Sequence, residues 1–292
     1  MKTQIIAEVG ECFNGNIGTA LEMIREAKRA GCDVVKFQLL DISEVAEDDP
    51  EYGWFAALDL PVSRMEVLIR EAENHKIDIL FTPVSVETAE NIYKTGQNKV
   101  KIASSFIRKR ELLDYINSHF ETVYLSTGMA ELHEIEQAVS ALQAVREIII
   151  LHCISEYPTG PLLEQRGLKA LDEKDAHLHM IQILKKEFPG YRIGYSDHTD
   201  GTFVPVIAAA MGAEVIEKHF TLDRRTPIQN FLNKGKYLGT DHVLSVEPKE
   251  LKEMVDQIRR VETCQGDMQW SRSAGEKILL DFLRNRYVKR EK

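Results

Sequence analysis

Residues 191–220, YRIGYSDHTDGTFVPVIAAAMGAEVIEKHF, decide the fold class of this chain. The stretch begins with a short apolar run, continues through an uncharged segment rich in alanine, and ends in a second apolar run that follows a glycine. A strand, a helix and a second strand in this order form the unit that joins neighbouring strands of a parallel sheet. The stretch therefore predicts one β-α-β unit.

The same alternation continues along the chain and gives eight strand-then-helix units. The predicted strands are QIIAEV, DVVKFQ, IDILFT, NKVKIAS, ETVYLST, EIIILHC, YRIGYS and AEVIEKHF. One long helix, residues 163–188, is predicted after the sixth strand. Eight units in about 260 residues are typical of an α/β fold of the (β/α)8 TIM-barrel type. The alternative is an open doubly wound sheet with a GxGxxG turn, a motif that EVGECFNG, residues 8–15, matches poorly.

The alternation ends after Glu262. The remaining residues comprise a polar linker and then a basic helix, and together they are too short to form a domain. We therefore predict a barrel domain over residues 1–265 and a short C-terminal linker and helix over residues 266–292.

Composition limits the class of function. The net charge of −9 over 292 residues argues against a nucleic-acid surface, which needs a basic excess. The four cysteines are widely spaced and indicate neither a zinc site nor a disulfide framework. The N-terminus is too polar for a signal peptide, and no apolar run is long enough to span a bilayer. We expect a reduced, cytoplasmic protein without nucleic-acid or membrane partners.

Polar side chains stand at the end of every predicted strand, where a barrel places its active site. They are Glu8, Lys36, Gln38, Thr82, Lys101, Ser104, Ser126, Thr127, His152, Ser155, Ser196, His198, Glu217 and His219. Two lysines and a ring of hydroxyls are suited to a small polyanion, such as a phosphate or a phosphate with a carboxylate. The alternatives are lysines that extend to water and serines that cap the following helices.

Two histidines at adjacent strand ends form a candidate metal site. Glu217 and His219 share one face of the last strand, and Lys218 lies on the other. His198 ends the neighbouring strand, so the two imidazoles are expected to meet at the mouth of the barrel. Two imidazoles leave positions open for substrate and water, which suits Mn2+ or Mg2+. Asp197 or Glu217 could orient an imidazole; the alternative is two histidines without a metal.

The strand ends also carry a family resemblance. Between about residues 3 and 262 the chain resembles the sialic acid synthase family (N-acetylneuraminate synthase, NeuB-type), through the motifs IAEVG, VVKFQ, FTP, VKIAS, LSTGM, LHC.SEYPT, GYSDHT, GAEVIEKHFTLD and GTDH..S.EP.EL. The resemblance implies a barrel that condenses phosphoenolpyruvate with an acylamino-hexose aldehyde to give a nonulosonic 2-keto acid and phosphate. It also implies a divalent metal, Mn2+ or else Mg2+ or Co2+, held by His198 and His219.

Roles for individual residues follow from the same resemblance. Glu8 matches the family's catalytic acidic residue and is expected to act with Lys36 and the two histidines. The expected phosphoenolpyruvate-binding residues are Lys36, Thr82, Lys101, Ser104, Ser126, Ser155 and Ser196. The expected sugar-contacting positions are Tyr157, Asp241 and Phe106.

The chain departs from the family pattern on the sugar side. Cys12 and Phe13 stand where the family usually has Asn and His, and Phe106 stands where it usually has Glu. Residues 226–242 replace a short Pro-Gly-Pro-Asp-His turn, and the expected C-terminal antifreeze-like (SAF) domain is absent from residues 266–292. We therefore expect an aldehyde more apolar than N-acetylmannosamine, or a lid from another chain, in a homodimer or with a partner protein.

Two other functions stay open at this stage. A Kdo- or DAHP-type synthase would need a second basic cluster for a phosphorylated aldose, and Arg224, Arg225, Lys234 and Lys236 are candidates, with a solvated loop as the alternative. The second alternative is a catalytically silent binding or regulatory subunit. Loss of catalytic function, however, would not be expected to leave the metal-binding and phosphate-binding residues unchanged.

Overall fold

Eight strands form the centre of the molecule. The structure is a computed structural model and describes residues 2–44, 46–48, 52–226, 240–266 and 269–286. The strands are β1 (Gln4–Gly10), β2 (Val34–Gln38), β3 (Asp78–Thr82), β4 (Lys99–Ile102), β5 (Thr122–Ser126), β6 (Glu147–Cys153), β7 (Arg192–Asp197) and β8 (Val215–His219).

Helices lie between the strands in the chain and after the last strand. They are α1 (Ile17–Ala30), α2 (Tyr52–Leu58), α3 (Val62–His75), α4 (Val86–Lys94), α5 (Arg110–His119), α6 (Leu132–Ala141), α7 (Gly160–Arg166), α8 (His179–Glu187), α9 (Phe203–Ala210), α10 (Asp241–Leu244), α11 (Pro248–Gln265) and α12 (Ala274–Arg286). Three short 3-10 turns are at Ile42–Glu44, Ser104–Phe106 and Glu173–Asp175.

The strands form a nearly closed barrel, which confirms the predicted (β/α)8 fold. Their order is β3-β2-β1-β8-β7-β6-β5-β4, and every paired neighbour is parallel. The two outermost strands in that order, β3 and β4, also contact each other. All strands therefore end at the same rim, where their last side chains converge.

An apolar layer fills the barrel below that rim. Its members are Ile6, Val34, Leu80, Tyr124, Ile149, Leu151 and Val215, all buried. Each lies an even number of residues before a polar side chain, or on β6 before Cys153, at the end of its own strand, so both share the inward face. The layer excludes water and forms the floor under the strand ends.

The single long helix predicted over residues 163–188 is wrong. The segment contains the end of α7, the 3-10 turn at Glu173–Asp175, and α8. Gly167 ends α7 with φ 68° and ψ −159°, a conformation that is essentially restricted to glycine. The Asp172 side chain then accepts a hydrogen bond from the Lys174 backbone and starts the turn. In the described part of the chain, no helix combines the length and apolarity needed to cross a bilayer.

Candidate active site

A cavity of about 270 Å³ opens at the carboxyl ends of the strands. All the residues with predicted catalytic, phosphoenolpyruvate, sugar or metal roles line it except Thr82, which is fully buried. The predicted residues in its wall are Glu8, Lys36, Lys101, Ser104, Phe106, Ser126, Ser155, Tyr157, Ser196, His198, His219 and Asp241. Glu217 also lines the cavity, with Leu40, Phe55 and Cys153, to which no binding role was assigned.

Buried ion pairs join the cationic and anionic residues of the cavity. Lys36 Nζ lies 3.2 Å from Glu8 Oε2 and 3.0 Å from Glu217 Oε2. Lys101 Nζ lies 3.3 Å from Glu217 Oε1, which also accepts a 2.8 Å hydrogen bond from Ser196 Oγ. The four charged side chains are almost completely buried, so these contacts compensate part of the cost of removing charge from water.

The two carboxyl groups differ in their proton affinity. Burial raises the pKa of Glu8 to about 7, the positive charge of Lys36 opposes this shift, and the negative charge of Glu217 adds to it. Burial also acts to raise the pKa of Glu217, but the charges of Lys101 and Lys36 outweigh it and hold that pKa well below its usual value. At neutral pH Glu217 is a permanent anion, whereas Glu8 can accept or release a proton.

The two histidines face each other across the mouth of the barrel, with ring centroids 5.2 Å apart. His198 Nδ1 donates to the Ile154 carbonyl at 2.7 Å, and Nε2 lies 2.8 Å from the Tyr157 hydroxyl. Burial and the charges of His198 and Lys36 hold the pKa of His219 well below its usual value. His219 is therefore neutral, and its buried Nδ1 has no hydrogen-bond partner.

Serine hydroxyls form the side of the cavity next to β4, β5 and β6. Ser104 Oγ accepts from the Gly128 backbone at 3.0 Å, and Ser155 Oγ lies close to the same glycine. The buried Ser126 Oγ and Thr82 Oγ1 have no hydrogen-bond partner. Because buried hydroxyls are normally bonded, the unpaired hydroxyl of Ser126, which lines the cavity together with the two lysines, indicates a place for ligand oxygens.

Comparison with known proteins identifies the family. The model of the NeuB family matches residues 23–270. The chain belongs to the NeuB family. It is 37% identical to the uncharacterized protein MJ1065 of Methanocaldococcus jannaschii, over 94% of this chain and 74% of that protein. It is 34% identical to the N,N'-diacetyllegionaminic acid synthase of Campylobacter jejuni, over 98% of this chain and 84% of that protein.

A solved structure agrees with this assignment. The crystal structure of an N-acetylneuraminic acid (sialic acid) synthetase from Leptospira borgpetersenii, in complex with citrate, superposes with a TM-score of 0.84 at 31% identity. The match covers 100% of this chain and 94% of that chain. The NeuB-family chain is accordingly a transferase that forms a carbon–carbon bond with phosphoenolpyruvate.

The histidine pair fits a divalent metal, on which synthases of the NeuB family generally depend. Imidazole nitrogens are common metal ligands, and His219 Nδ1 is buried without a hydrogen bond, with Asp241 Oδ2 3.7 Å away. Among the described residues, no group of three or more His, Cys, Asp or Glu side chains is placed to hold an ion. The arrangement therefore matches a metal with two protein ligands and open coordination positions. Open positions are typical of a catalytic rather than a structural metal.

The expectation that Asp197 or Glu217 orients an imidazole is wrong. Asp197 lies on the opposite face of β7 and accepts hydrogen bonds there from Lys218, at 2.6 Å, and from Tyr195, at 2.7 Å. Glu217 does face the cavity, but Lys36 and Lys101 attract its two oxygens. A backbone carbonyl, that of Ile154, instead orients His198.

On the side of the cavity that the resemblance assigns to the sugar, Phe106 is apolar, and Leu40 and Phe55 also line the cavity. Phe55 comes from α2, a helix that the strand-then-helix pattern did not predict, although the aromatic cluster YGWF in residues 52–55 was a signal for it. The polar part of this side is Asp241, whose pKa burial raises to about 6.

Two other departures from the family pattern, Cys12 and Phe13, lie outside the cavity. Cys12 and Phe13 are buried in the core, where Cys12 Sγ lies 3.5 Å from Ser245 Oγ, and neither lines the cavity. Arg224 pairs with Glu250 at 2.7 Å, and Arg225 pairs with Asp223 at 2.9 Å. These two arginines do not line the cavity either. Lys234 and Lys236, with most of the segment 226–242, lie outside the described residues.

Proposed function

We propose that this chain condenses phosphoenolpyruvate with an acylamino-hexose aldehyde, giving a nonulosonic 2-keto acid and phosphate with the help of a divalent metal. The observation that carries the proposal is the content of the cavity. Two lysines, serine hydroxyls of which that of Ser126 is unpaired, a carboxyl group that titrates near neutrality and two imidazoles share about 270 Å³. Each of these groups has a separate task in such a condensation.

The lysines and hydroxyls are proposed to bind phosphoenolpyruvate. Lys36 and Lys101 supply positive charge, and Ser104, Ser126, Ser155 and Ser196, with Thr82 behind them, supply directed hydrogen bonds. Glu217 is an anion beside both lysines, so it holds their ammonium groups in place before the ligand arrives. Fixed donors of this kind need little reorganisation when the phosphate develops charge.

His198 and His219 are proposed to hold the metal, Mn2+ or else Mg2+ or Co2+, which supplies Lewis-acid polarisation of the aldehyde when bound. Carbon 3 of phosphoenolpyruvate then forms a bond to the aldehyde carbon, whose oxygen takes up a proton. Water adds to carbon 2, and the C–O bond to phosphate breaks. Glu8 has the pKa of a group that removes the proton from this water at neutral pH.

The acceptor is proposed to be more apolar than N-acetylmannosamine. Phe106, Phe55 and Leu40 cannot accept hydrogen bonds from sugar hydroxyls, but they can contact acyl methyl groups or a deoxygenated carbon. Similarity to an N,N'-diacetyllegionaminic acid synthase supports a 2,4-diacetamido hexose.

The substitution Phe106→Glu tests this acceptor. We expect it to raise kcat/KM for N-acetylmannosamine relative to a 2,4-diacetamido hexose by about tenfold, because a new acceptor favours a hydroxylated sugar. Phe106→Leu is the apolar control and should retain the wild-type preference. An unchanged ratio in Phe106→Glu would rule out this wall as the determinant of specificity.

The proposed function is tested by phosphate release from phosphoenolpyruvate with Mn2+ across 2-acetamido and 2,4-diacetamido hexoses. We expect release with one sugar, lost in His219→Ala and retained in His179→Ala, which alters an exposed histidine on α8. Release only with a phosphorylated aldose would contradict the proposed acceptor. No release with any sugar, and no thermal stabilisation by phosphoenolpyruvate, would favour a silent subunit.

A further inference from the structure

A second cluster of charges lies behind the histidines, on the face of β7 and β8 that points away from the cavity. Lys218 and Asp197 are fully buried and pair directly across the two strands in the sheet register. Lys218 Nζ lies 2.6 Å from Asp197 Oδ2. Neither residue lines the cavity, so the pair cannot contact a substrate there.

The cluster is closed by hydrogen bonds. Thr199 Oγ1 lies 2.9 Å from each oxygen of Asp197, and Tyr195 donates to one of them at 2.7 Å. Lys218 also donates to the Thr199 carbonyl. These contacts join the two residues that flank His198 in the chain to the residue that precedes His219.

The backbone at both histidines is held from the other side as well. The His198 carbonyl accepts from Leu171 N at 3.0 Å, and the His219 carbonyl accepts from Val246 N at 2.9 Å. The backbone of each histidine therefore has little freedom to move relative to the other. Stability alone is a weak reason for such a pair, because replacing a buried ion pair by apolar residues is often neutral or stabilising.

We propose that Lys218 and Asp197, locked by Thr199, are positioning residues that fix the spacing of His198 and His219 for the metal. The inference rests on the metal site of the proposed function. The pair acts through the strand ends rather than by touching an imidazole, which explains why Asp197 lies away from both rings. Outer contacts that orient metal ligands commonly change metal affinity by about 10- to 100-fold when removed.

The test compares Thr199→Val with Thr199→Ser in the full chain. Valine removes the hydroxyl at nearly constant volume, and serine retains it. Mn2+ affinity is measured by electron paramagnetic resonance titration, and phosphoenolpyruvate affinity is measured separately without metal. We expect Thr199→Val to weaken Mn2+ binding at least tenfold with phosphoenolpyruvate affinity within about twofold of wild type, and Thr199→Ser to bind Mn2+ like wild type.

Arg192→Met is the matched control for strand pairing. Arg192 joins β7 to Glu147 at 3.0 Å and to Glu214 at 3.5 Å, at the opposite end of the same strands. We expect it to lower Tm without a change in Mn2+ affinity. Lys218→Met, if it folds, should behave like Thr199→Val.

The outcomes separate the two claims. Mn2+ binding by wild type together with unchanged Mn2+ affinity in Thr199→Val would overturn the positioning role alone. An equal loss of Mn2+ affinity in Arg192→Met would also overturn it, because any weakened strand contact would then suffice. No Mn2+ binding by wild type would overturn the proposed metal site, and this inference with it.

Discussion

At the scale of the residue, two carboxylates share one buried ammonium group. Lys36 lies 3.0 Å from Glu217 and 3.2 Å from Glu8, and Lys101 adds a second positive charge beside Glu217 only. The better-compensated carboxylate stays ionised, while the other retains its proton to near-neutral pH. The burial that makes Glu8 a proton acceptor near neutral pH therefore lowers the stability of the folded chain when Glu8 is ionised.

That cost predicts how Glu8→Gln changes stability with pH. The pKa of Glu8 is raised from 4.5 to about 7 by burial, so between these values the unfolded chain releases a proton that the folded chain retains. Stability falls as pH rises through this window. Glu8→Gln removes the effect, so its Tm should exceed that of wild type above pH 7 by about 2–4 °C for each kcal/mol recovered.

Thermal unfolding from pH 4.5 to 8 measures this difference. We expect the gain in Tm to approach zero at the acid end, while phosphate release falls at least 100-fold. A Tm difference that does not vary with pH would contradict the raised pKa of Glu8.

A glycine packed against two serines gives a second prediction. A Cβ on Gly128 would overlap Ser155 Oγ and lie 2.7 Å from Ser104 Oγ. Gly128→Ala should therefore displace both hydroxyls and weaken phosphoenolpyruvate binding about tenfold or more, the loss of one to two hydrogen bonds to a charged group. Isothermal titration measures the affinity, and Gly190→Ala, where a Cβ meets nothing within 4 Å, is the control. Equal affinities of the two variants for phosphoenolpyruvate would exclude Ser104 and Ser155 as residues that bind it.

The strand pattern predicted most of the residues that face the cavity, although Thr127 and His152 do not line it. It did not predict how the cavity residues pair. Alternation places Glu217 and His219 on one face, and this placement is correct. The prediction that Glu217 orients an imidazole was wrong, because Glu217 pairs with Lys36 and Lys101 instead. The distances from Glu217 to these lysines depend on the closure of the whole barrel. The apolar surroundings of both lysines already indicated that each needed an anionic partner.

At the scale of the element, the strands were predictable because each is a short apolar run bounded by turns. The break in the segment after β6 was not predictable in this way, since the residues of that segment are good helix formers and only Gly167 interrupts them. Helix α2 was overlooked for a related reason, because it adds a helix within one strand-then-helix unit. That helix brings Phe55 to the cavity, so the missed element matters for the acceptor.

Gly167→Ala tests the break between α7 and the following turn. Its φ of 68° and ψ of −159° are accessible to glycine and strained for alanine, at a cost of about 1–3 kcal/mol. No atom lies within 4 Å of the added Cβ, so backbone conformation alone is tested. Chemical denaturation should show this loss in Gly167→Ala, and a more stable variant would mean that α7 continues through residue 167.

At the scale of the whole molecule, the barrel concentrates opposite properties at one rim. The chain has a net charge of −9, yet two lysines and several serine hydroxyls converge on the cavity above an apolar floor. The parallel order of the strands is sufficient for this convergence, which is why fold and cavity followed from the alternation of the sequence. The division at residue 265 and the role of the C-terminal helix stay predictions, because they depend on contacts that no strand pattern encodes.

The most direct test of the central claim is mass spectrometry of the product formed from phosphoenolpyruvate labelled with 13C at carbon 3. With Mn2+ and a 2,4-diacetamido hexose, we predict one labelled keto acid whose mass equals sugar plus phosphoenolpyruvate plus water minus phosphate. Phosphate should appear in equal amount. Labelled pyruvate with phosphate, and no species that contains the sugar, would mean hydrolysis without carbon–carbon bond formation and would contradict the account.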